Sequence, residues 1–320
     1  MTSRFQPSRW WRNPHLQTIW PLLTKPQSLP LRRHTLALDD GDFVHLDWMG
    51  QPQPLAPITV ILHGLEGDRD SHYVRRMLHS LAQQDQVGVV VHQRSCSGVM
   101  NALPRTYHSG ETGDLAQVLT HLTQRYPGHP LRAVGYSLGA NVLCKYLGET
   151  GDASLLERGV AVSPPLDLAA CASRMERGFS RVYQHYLLKK LRHKIHQKLA
   201  GPHGPQIPVT ASQCQQLVTF YQFDHQVTAP LHGFASADDY YRRASGKQFL
   251  STVQRPLLLL HAADDPFMTE AVIPAAHELS ESVTLELCPR GGHVGFISHG
   301  PPWRPQFYLE PRIQSFLNPA

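Results

Sequence analysis

Apolar residues fall in short, sharply bounded runs: Thr59–Leu62, Val87–Val91, Leu131–Val134, Gly159–Val162, Pro256–Leu260 and Val283–Leu287. Each run is too short for a helix and lacks the alternation of a half-exposed strand. It therefore predicts a strand covered on both faces. Stretches with helical spacing of apolar positions lie between them, for example Tyr73–Gln84, Asp114–Arg125 and Asn141–Gly148. Strand and helix taking turns predicts βαβ units and a doubly wound, mostly parallel sheet. Upstream, residues 34–38 and 43–48 alternate on either side of Asp39-Asp40-Gly41-Asp42, which predicts an antiparallel hairpin at the start of the sheet.

The rhythm breaks between residues 168 and 250. Arg174–Lys198 holds eight Lys/Arg against one acidic residue, Glu176, with Val182, Leu187, Leu191 and Ile195 near helical spacing. This predicts one basic amphipathic helix within a helical cap inserted over the sheet, at about 168–250. The helix would present either a solvated outer face or a surface for anionic lipid or acidic ligands. Residues 1–30 form an N-terminal arm with Trp10, Trp11 and Trp20 beside Arg9 and Arg12. Its aromatics would either pack onto the domain or anchor at a membrane interface. The whole chain, 1–320, is expected to be one domain with this arm and cap.

Composition narrows the class. With 41% apolar and 17% charged residues and a formal charge of +5, the chain is an ordinary globular one, without the clustered cations of a nucleic-acid binder. Its 20 histidines include no HExxH frame and none sits beside a CxxC, so no metal or other cofactor is expected. Five scattered cysteines point to reduced thiols. The first residues lack an apolar signal core, and no apolar run reaches the roughly 18 residues that span a bilayer. A cytoplasmic location is expected; the oligomeric state is not legible.

Candidate chemistry sits at strand ends. Gly135-Tyr136-Ser137-Leu138-Gly139 follows a buried strand and opens a helix. A serine at such a sharp turn projects its hydroxyl clear of the sheet, and glycines on either side let strand and helix backbones crowd together. The Leu138 N–H then points at an oxygen that gains charge when Ser137 attacks a carbonyl. His63-Gly64-Leu65, after the strand ending at Leu62, is placed to supply a second donor from Leu65. Gly64 permits the close approach, and His63 would brace the loop. His261-Ala-Ala-Asp264-Asp265-Pro266 follows the penultimate strand; Asp265 suits the acid that orients a histidine, and Asp264 would support the turn. Gly291-Gly292-His293 follows the last strand and would swing the imidazole over the sheet edge as general base. Ser, Asp, His is the order of an α/β-hydrolase triad. His63 and Asp68 also match a His-x4-Asp acyltransferase spacing, which the oxyanion role of His-Gly already accounts for. In Tyr107–Glu111, before a predicted helix, capping is expected over lining a pocket.

These motifs resemble the YheT-like α/β-hydrolases, bacterial relatives of eukaryotic α/β-hydrolase-domain esterases and lipases. The matching stretches include Asn13–Thr18, His63–Gly67, Tyr107–Thr112, Gly135–Asn141, Ser163–Leu168, Val227–Phe234, Ala263–Phe267 and Gly291–Phe296, over nearly the whole chain. The resemblance implies a serine hydrolase of carboxylic esters with Ser137, Asp265 and His293 as triad, acting on short-chain esters, acylglycerols or phospholipids. One departure is Gln93-Arg94-Ser95-Cys96, where the family has Phe-Arg-Gly-Cys. The expected partner is a small ester or lipid, with peripheral membrane contact through the arm or the basic cap helix, and no nucleic acid. Two other functions compete: acyl transfer to an alcohol from the same acyl-enzyme, and a binding protein on a hydrolase scaffold.

Overall fold

A computed structural model describes residues 5–319; the first four residues of the expected arm, and Ala320, lie outside the described residues. Eight strands form one sheet: β1 Arg32–Ala37, β2 Phe43–Met49, β3 Ile58–Leu62, β4 Val87–Val91, β5 Leu131–Tyr136, β6 Leu156–Val162, β7 Leu257–Ala262 and β8 Val283–Cys288. Their spatial order is β1-β2-β4-β3-β5-β6-β7-β8. Strands β1 and β2 pair as the antiparallel hairpin, β2 meets β4 antiparallel, and β3 through β8 are parallel. Every residue of β3, β4 and β7 is buried, as continuous apolar runs require. This is the α/β-hydrolase architecture, and it puts the C-terminal ends of six parallel strands along one rim.

Helices cover both faces. On one side lie α1 (Pro14–Leu23), packed beside the loop after β8, and α2 (His72–Ala82), whose Val74, Met77, Leu78 and Leu81 are buried. On the other, α3 (Thr112–Arg125) and α4 (Leu138–Thr150) bury Leu115, Val118, Leu119 and most of α4 against the sheet. The last helix, Leu309–Leu317, returns to the α2 side with Leu309, Ile313 and Leu317 inward.

Between β6 and β7 the chain is helical. Helices α6 (Ser180–Leu199), α7 (Ala211–Gln216), α8 (Phe220–Phe223) and α9 (Ala229–Leu231) gather around a small apolar core that includes Leu188, Ile195, Cys214, Phe223 and Val227, while α5 (Leu168–Met175) and α10 (Ala237–Ala244) form a second one with Leu168, Ala172, Tyr240 and Tyr241. The last helix of the chain is α11.

The expected single helix over Arg174–Lys198 is corrected. It is two helices, broken at Glu176–Phe179 where Gly178 takes a φ of +54°, a conformation that suits glycine. Of the expected stripe, Leu187, Leu191 and Ile195 turn inward but Val182 is exposed, and Gln184, Leu188 and Lys198 are buried as well. Several cations turn inward. Lys194 Nζ reaches Glu66 Oε1 at 2.9 Å, Lys198 Nζ donates to the Leu103 carbonyl at 2.6 Å, and Lys190 Nζ donates to the Glu66 carbonyl at 3.4 Å. The Glu66 carboxylate and the carbonyls of Glu66 and Leu103 receive these ammonium groups, and charge count along the chain carries no sign of it.

Candidate active site

Ser137 sits between β5 and α4 at φ 51°, ψ −118°, a strained conformation for a residue with a Cβ. The crowding around it explains the flanking glycines. A Cβ on Gly135 would lie 2.5 Å from the Gly139 carbonyl oxygen, and one on Gly139 would lie 2.5 Å from the Leu62 carbonyl oxygen. Strain recurs along the same rim: Glu66 (φ 54°), Ser95 (63°), Ser163 (49°), Val294 (57°) and Phe296 (48°) all follow strand ends. Non-glycine residues hold such angles only when their surroundings over-determine them, and they gather at sites of function.

Ser95 occupies the position where the resembling family has glycine. Its left-handed backbone is held by its own side chain, which donates to Asn101 Oδ1 at 2.6 Å and accepts from the Asn101 N–H at 3.2 Å.

The structure brings three dispersed side chains together. His293 Nε2 lies 2.9 Å from Ser137 Oγ, and its Nδ1 lies 2.8 Å from Asp265 Oδ2. The other oxygen, Asp265 Oδ1, accepts from the Phe267 N–H at 2.8 Å. Both Asp265 and His293 are buried. Asp264 does not join this line; its Oδ1 accepts from the Gly292 N–H at 2.9 Å and so shapes the turn before His293. Burial pushes the Asp264 carboxyl up from its usual range.

Leu65 and Leu138 flank Ser137. Among the described residues, no acceptor meets either backbone N–H. Gly64 has Ser137 as neighbour: a Cβ there would come within 3.1 Å of Ser137 Cβ and of the Tyr73 hydroxyl, which accepts from the Gly64 N–H at 3.0 Å. His63 is fully buried. Its Nδ1 donates to the Gly64 carbonyl and its Nε2 accepts from the Gln93 N–H, at 2.8 and 3.0 Å. Burial, then the nearby His92, hold its pKa down at about 3, so the ring is neutral and both nitrogens are occupied by backbone. A proton-transfer role with Asp68 has no free nitrogen to use.

The capping expected of Tyr107–Glu111 is corrected. Glu111 is the N-cap residue of α3 but its side chain caps nothing; it pairs with Arg105. Tyr107, His108 and Ser109 line the pocket instead. The Tyr107 hydroxyl donates to Glu66 Oε1 at 2.8 Å and accepts from the Glu66 N–H at 2.9 Å. With Lys194, this fastens the residue after Leu65 to both the loop before α3 and α6. The resulting cavity of about 130 Å3 lies above Ser137, walled by apolar side chains such as Leu168, Met175, Leu187, Leu191, Phe223 and Met268.

Three ligand-type side chains also meet: His108, Glu111 and His232. Their arrangement disfavours a cation. The Gly110 N–H donates to His108 Nδ1 at 3.1 Å, so the neutral ring keeps its proton on Nε2, which lies 3.5 Å from Glu111 Oε2. Burial together with Arg105 and other cations holds the His108 pKa at about 3 and lowers that of His232, a field that repels a metal ion too. The trio instead ties α9 to the loop before α3.

Four supports of the site were missed in the sequence. Thr18 of α1 accepts from the His293 N–H at 3.0 Å, Ser163 Oγ accepts from the Val294 N–H at 3.2 Å, Phe267 stacks on His293, and Lys194 pairs with Glu66. The first three lie in stretches that carry the family resemblance, which was the available signal.

Comparisons with known proteins agree with this architecture. A family model described as the alpha/beta hydrolase fold matches residues 57–300. The Escherichia coli (strain K12) protein YheT, which carries a provisional esterase designation, is 41% identical over 99% of this chain and 93% of its own length. Mouse phospholipase ABHD3 is 28% identical over 93% of this chain and 74% of its own. Among solved structures, the Pyrococcus furiosus esterase Pf2001 superposes with a TM-score of 0.57 at 16% identity, covering 99% of this chain and 97% of that one.

Proposed function

The chain belongs to the YheT-like branch of the α/β-hydrolase family, and from that premise we propose that it is a serine hydrolase of carboxylic esters. One observation carries the mechanism: the unbroken line of hydrogen bonds from Ser137 Oγ through His293 to Asp265. Ser137 attacks the ester carbonyl while His293 Nε2 takes its proton. The developing oxyanion accepts from the N–H groups of Leu65 and Leu138. Asp265 keeps the proton of the neutral ring on Nδ1 and stabilises the imidazolium as it forms. His293 then returns the proton to the leaving alkoxide, leaving an acyl group on Ser137 and free alcohol. In the second half, His293 activates a water that attacks the acyl carbonyl, and carboxylic acid departs as Ser137 regains its proton.

The apolar walls favour an acyl group over any charged one. A space of about 130 Å3 compares with the roughly 150 Å3 cavity that holds benzene, so a short acyl chain fits without rearrangement of α5 and α6. The test is steady-state hydrolysis of p-nitrophenyl butyrate by the protein and its Ser137→Ala variant, with fluorophosphonate labelling alongside. Loss of about 10^4-fold or more in kcat, with labelling confined to Ser137, is the expected outcome; near-native turnover in the variant would remove Ser137 from the mechanism.

A further inference from the structure

Helix α1 is inverted relative to an ordinary surface helix. It buries Gln17, Thr18 and Pro21 and exposes Leu16, Leu22 and Leu23, the last at 70%. Its inward polar groups are committed to the site. Gln17 Nε2 donates to the carbonyls of Trp11 and Ile297, Gln17 Oε1 accepts from the Ile297 N–H, and Thr18 Oγ1 accepts from the N–H of His293. The loop carrying His293 presses directly on the helix: a Cβ on Gly295 would lie 2.0 Å from the Gln17 carbonyl oxygen. The polar side thus serves the site, and the leucines are left facing outward.

Other exposed apolar groups gather around the same helix. Trp11 and Trp20 pack 5.9 Å apart and donate to the carbonyls of Gly300 and Pro302. That clamps residues 9–12 beside residues 300–304 and leaves Trp10 and Trp303 exposed at 78% and 82%. On the flank nearer the pocket, His15 Nδ1 lies 3.0 Å from the Tyr183 hydroxyl and its ring lies 4.6 Å from Phe179. Phe179, Val182 and Tyr186 at the start of α6 are exposed. From Tyr183 the aromatic contacts continue to Phe267 and then to His293, so this face adjoins the reacting centre.

Its charge is predominantly positive, with Glu176 an exposed acid beside Arg177. Residues 5–38 contain no Asp or Glu, and Arg9, Arg12, Arg177, Arg181, Arg290 and Arg304 are exposed. Among the described residues none of these arginines is ion-paired. Exposed tryptophans and leucines ringed by unpaired arginines match an anionic bilayer, where indoles sit at headgroup depth and guanidinium groups meet lipid phosphates. A second copy of the chain would bring like charges together, so self-association through this face is disfavoured.

We infer that the face built from α1, residues 9–12, residues 300–304 and the start of α6 seats the protein on the surface of an anionic lipid bilayer. The test uses the full chain with vesicles of phosphatidylcholine alone or with one quarter phosphatidylglycerol, read by co-sedimentation and tryptophan emission. Expected are binding to the anionic vesicles with a blue shift, loss of that binding as salt rises from 50 to 500 mM, and weak binding to phosphatidylcholine alone. The double variant W10S/W303S should partition at least about tenfold more weakly, and R177E/R181E should lose the anionic preference. Both should turn over a water-soluble short ester as the parent does, which also reports folding. Ser137→Ala should bind vesicles like the parent, so failure of the hydrolase mechanism and failure of docking are separable. Absence of binding to anionic vesicles, binding unchanged in both variants, or a dimer in light scattering that W303S abolishes would each overturn the inference.

Discussion

Phe267 lies flat on the His293 imidazole, with ring centroids 4.0 Å apart and planes 8° from parallel. The same residue donates its backbone N–H to Asp265 Oδ1, while Asp265 Oδ2 holds His293 Nδ1. One carboxylate therefore fixes both the imidazole and the ring that limits its tilt. Replacing Phe267 by Ala should free the imidazole to rotate, and displacements of about 1 Å cost up to roughly a hundredfold. The expected result is a kcat loss between tenfold and a hundredfold, with KM for p-nitrophenyl butyrate little changed. An unaltered kcat would mean that Asp265 alone orients the ring.

The two adjacent carboxylates are separable by kinetics. Asp265→Asn presents a neutral group to His293 Nδ1 and should lower kcat by about 10^4-fold, as loss of the orienting acid does in triads. Asp264→Asn keeps an acceptor for the Gly292 N–H and should stay within about tenfold of the parent. Equal losses in the two variants would show that the turn, rather than the charge beside His293, sets the rate.

Lys194 and Glu66 form a pair with side-chain exposures of 16% and 3%. Removing one partner leaves a buried charge alone, which costs about 3–5 kcal/mol. Lys194→Met should therefore lower the urea midpoint sharply, and Glu66→Gln in the same chain should restore part of it. Since Glu66 follows Leu65, the single variant should also lose kcat. Additive stability effects in the double-mutant cycle would show that the pair is not coupled.

Gly139→Ala would set a methyl 2.5 and 2.6 Å from the carbonyl oxygens of Leu62 and His63, with backbone on both sides and nothing flexible to yield. We expect destabilisation of about 3 kcal/mol and loss of activity beyond it, because β3 and α4 must separate at the Ser137 turn. Thermal unfolding of the variant checks this; a midpoint within a degree of the parent would show that the turn relaxes freely.

Acid should unfold the protein early. His63 and His108 are held near a pKa of about 3, and His72 and His232 are also lowered, chiefly by burial, from the ordinary 6.5. The unfolded chain takes up these protons below pH 6.5 and the folded chain does not. Stability is therefore complete above that value and falls as pH drops through the window from about 6.5 towards 3, by up to about 1.4 kcal/mol per pH unit for each histidine. Asp224 acts in the opposite sense: burial raises its pKa to about 6, so the folded state gains from its protonation between about 6 and 3.8. Asp114 and Asp264 are raised in the same sense as Asp224, and the four histidines outweigh these three carboxyls. The urea midpoint should be lower at pH 5 than at pH 7.5, and an equal or higher midpoint would refute the balance.

The strand cores were legible because the residues that make them are continuous and apolar on both faces, as in Val87–Val91 and Leu257–Leu260. Boundaries were less so: β5 runs on to Tyr136 and α4 starts at Leu138, since the tight turn at Ser137 leaves no room for the longer gap that spacing implied. Glu111 shows the limit of local rules. It sits where a cap belongs, yet Arg105 from an irregular loop claims its carboxylate.

The sequence by itself determined the alternation of strands and helices, and the kinds of side chain standing at the ends of β3, β5, β7 and β8. These depend on neighbours within a few residues, where periodicity and turn chemistry act. Only the tertiary structure decided which way a helix faces and which distant groups meet. The spacing of α6 could not show that Lys194 turns inward to Glu66, 128 residues away, nor that α1 gives its polar side to His293 and its leucines to the outside. Those outcomes follow from desolvation and hydrogen bonding between segments far apart in the chain, and such partners exist only once the sheet has placed them side by side.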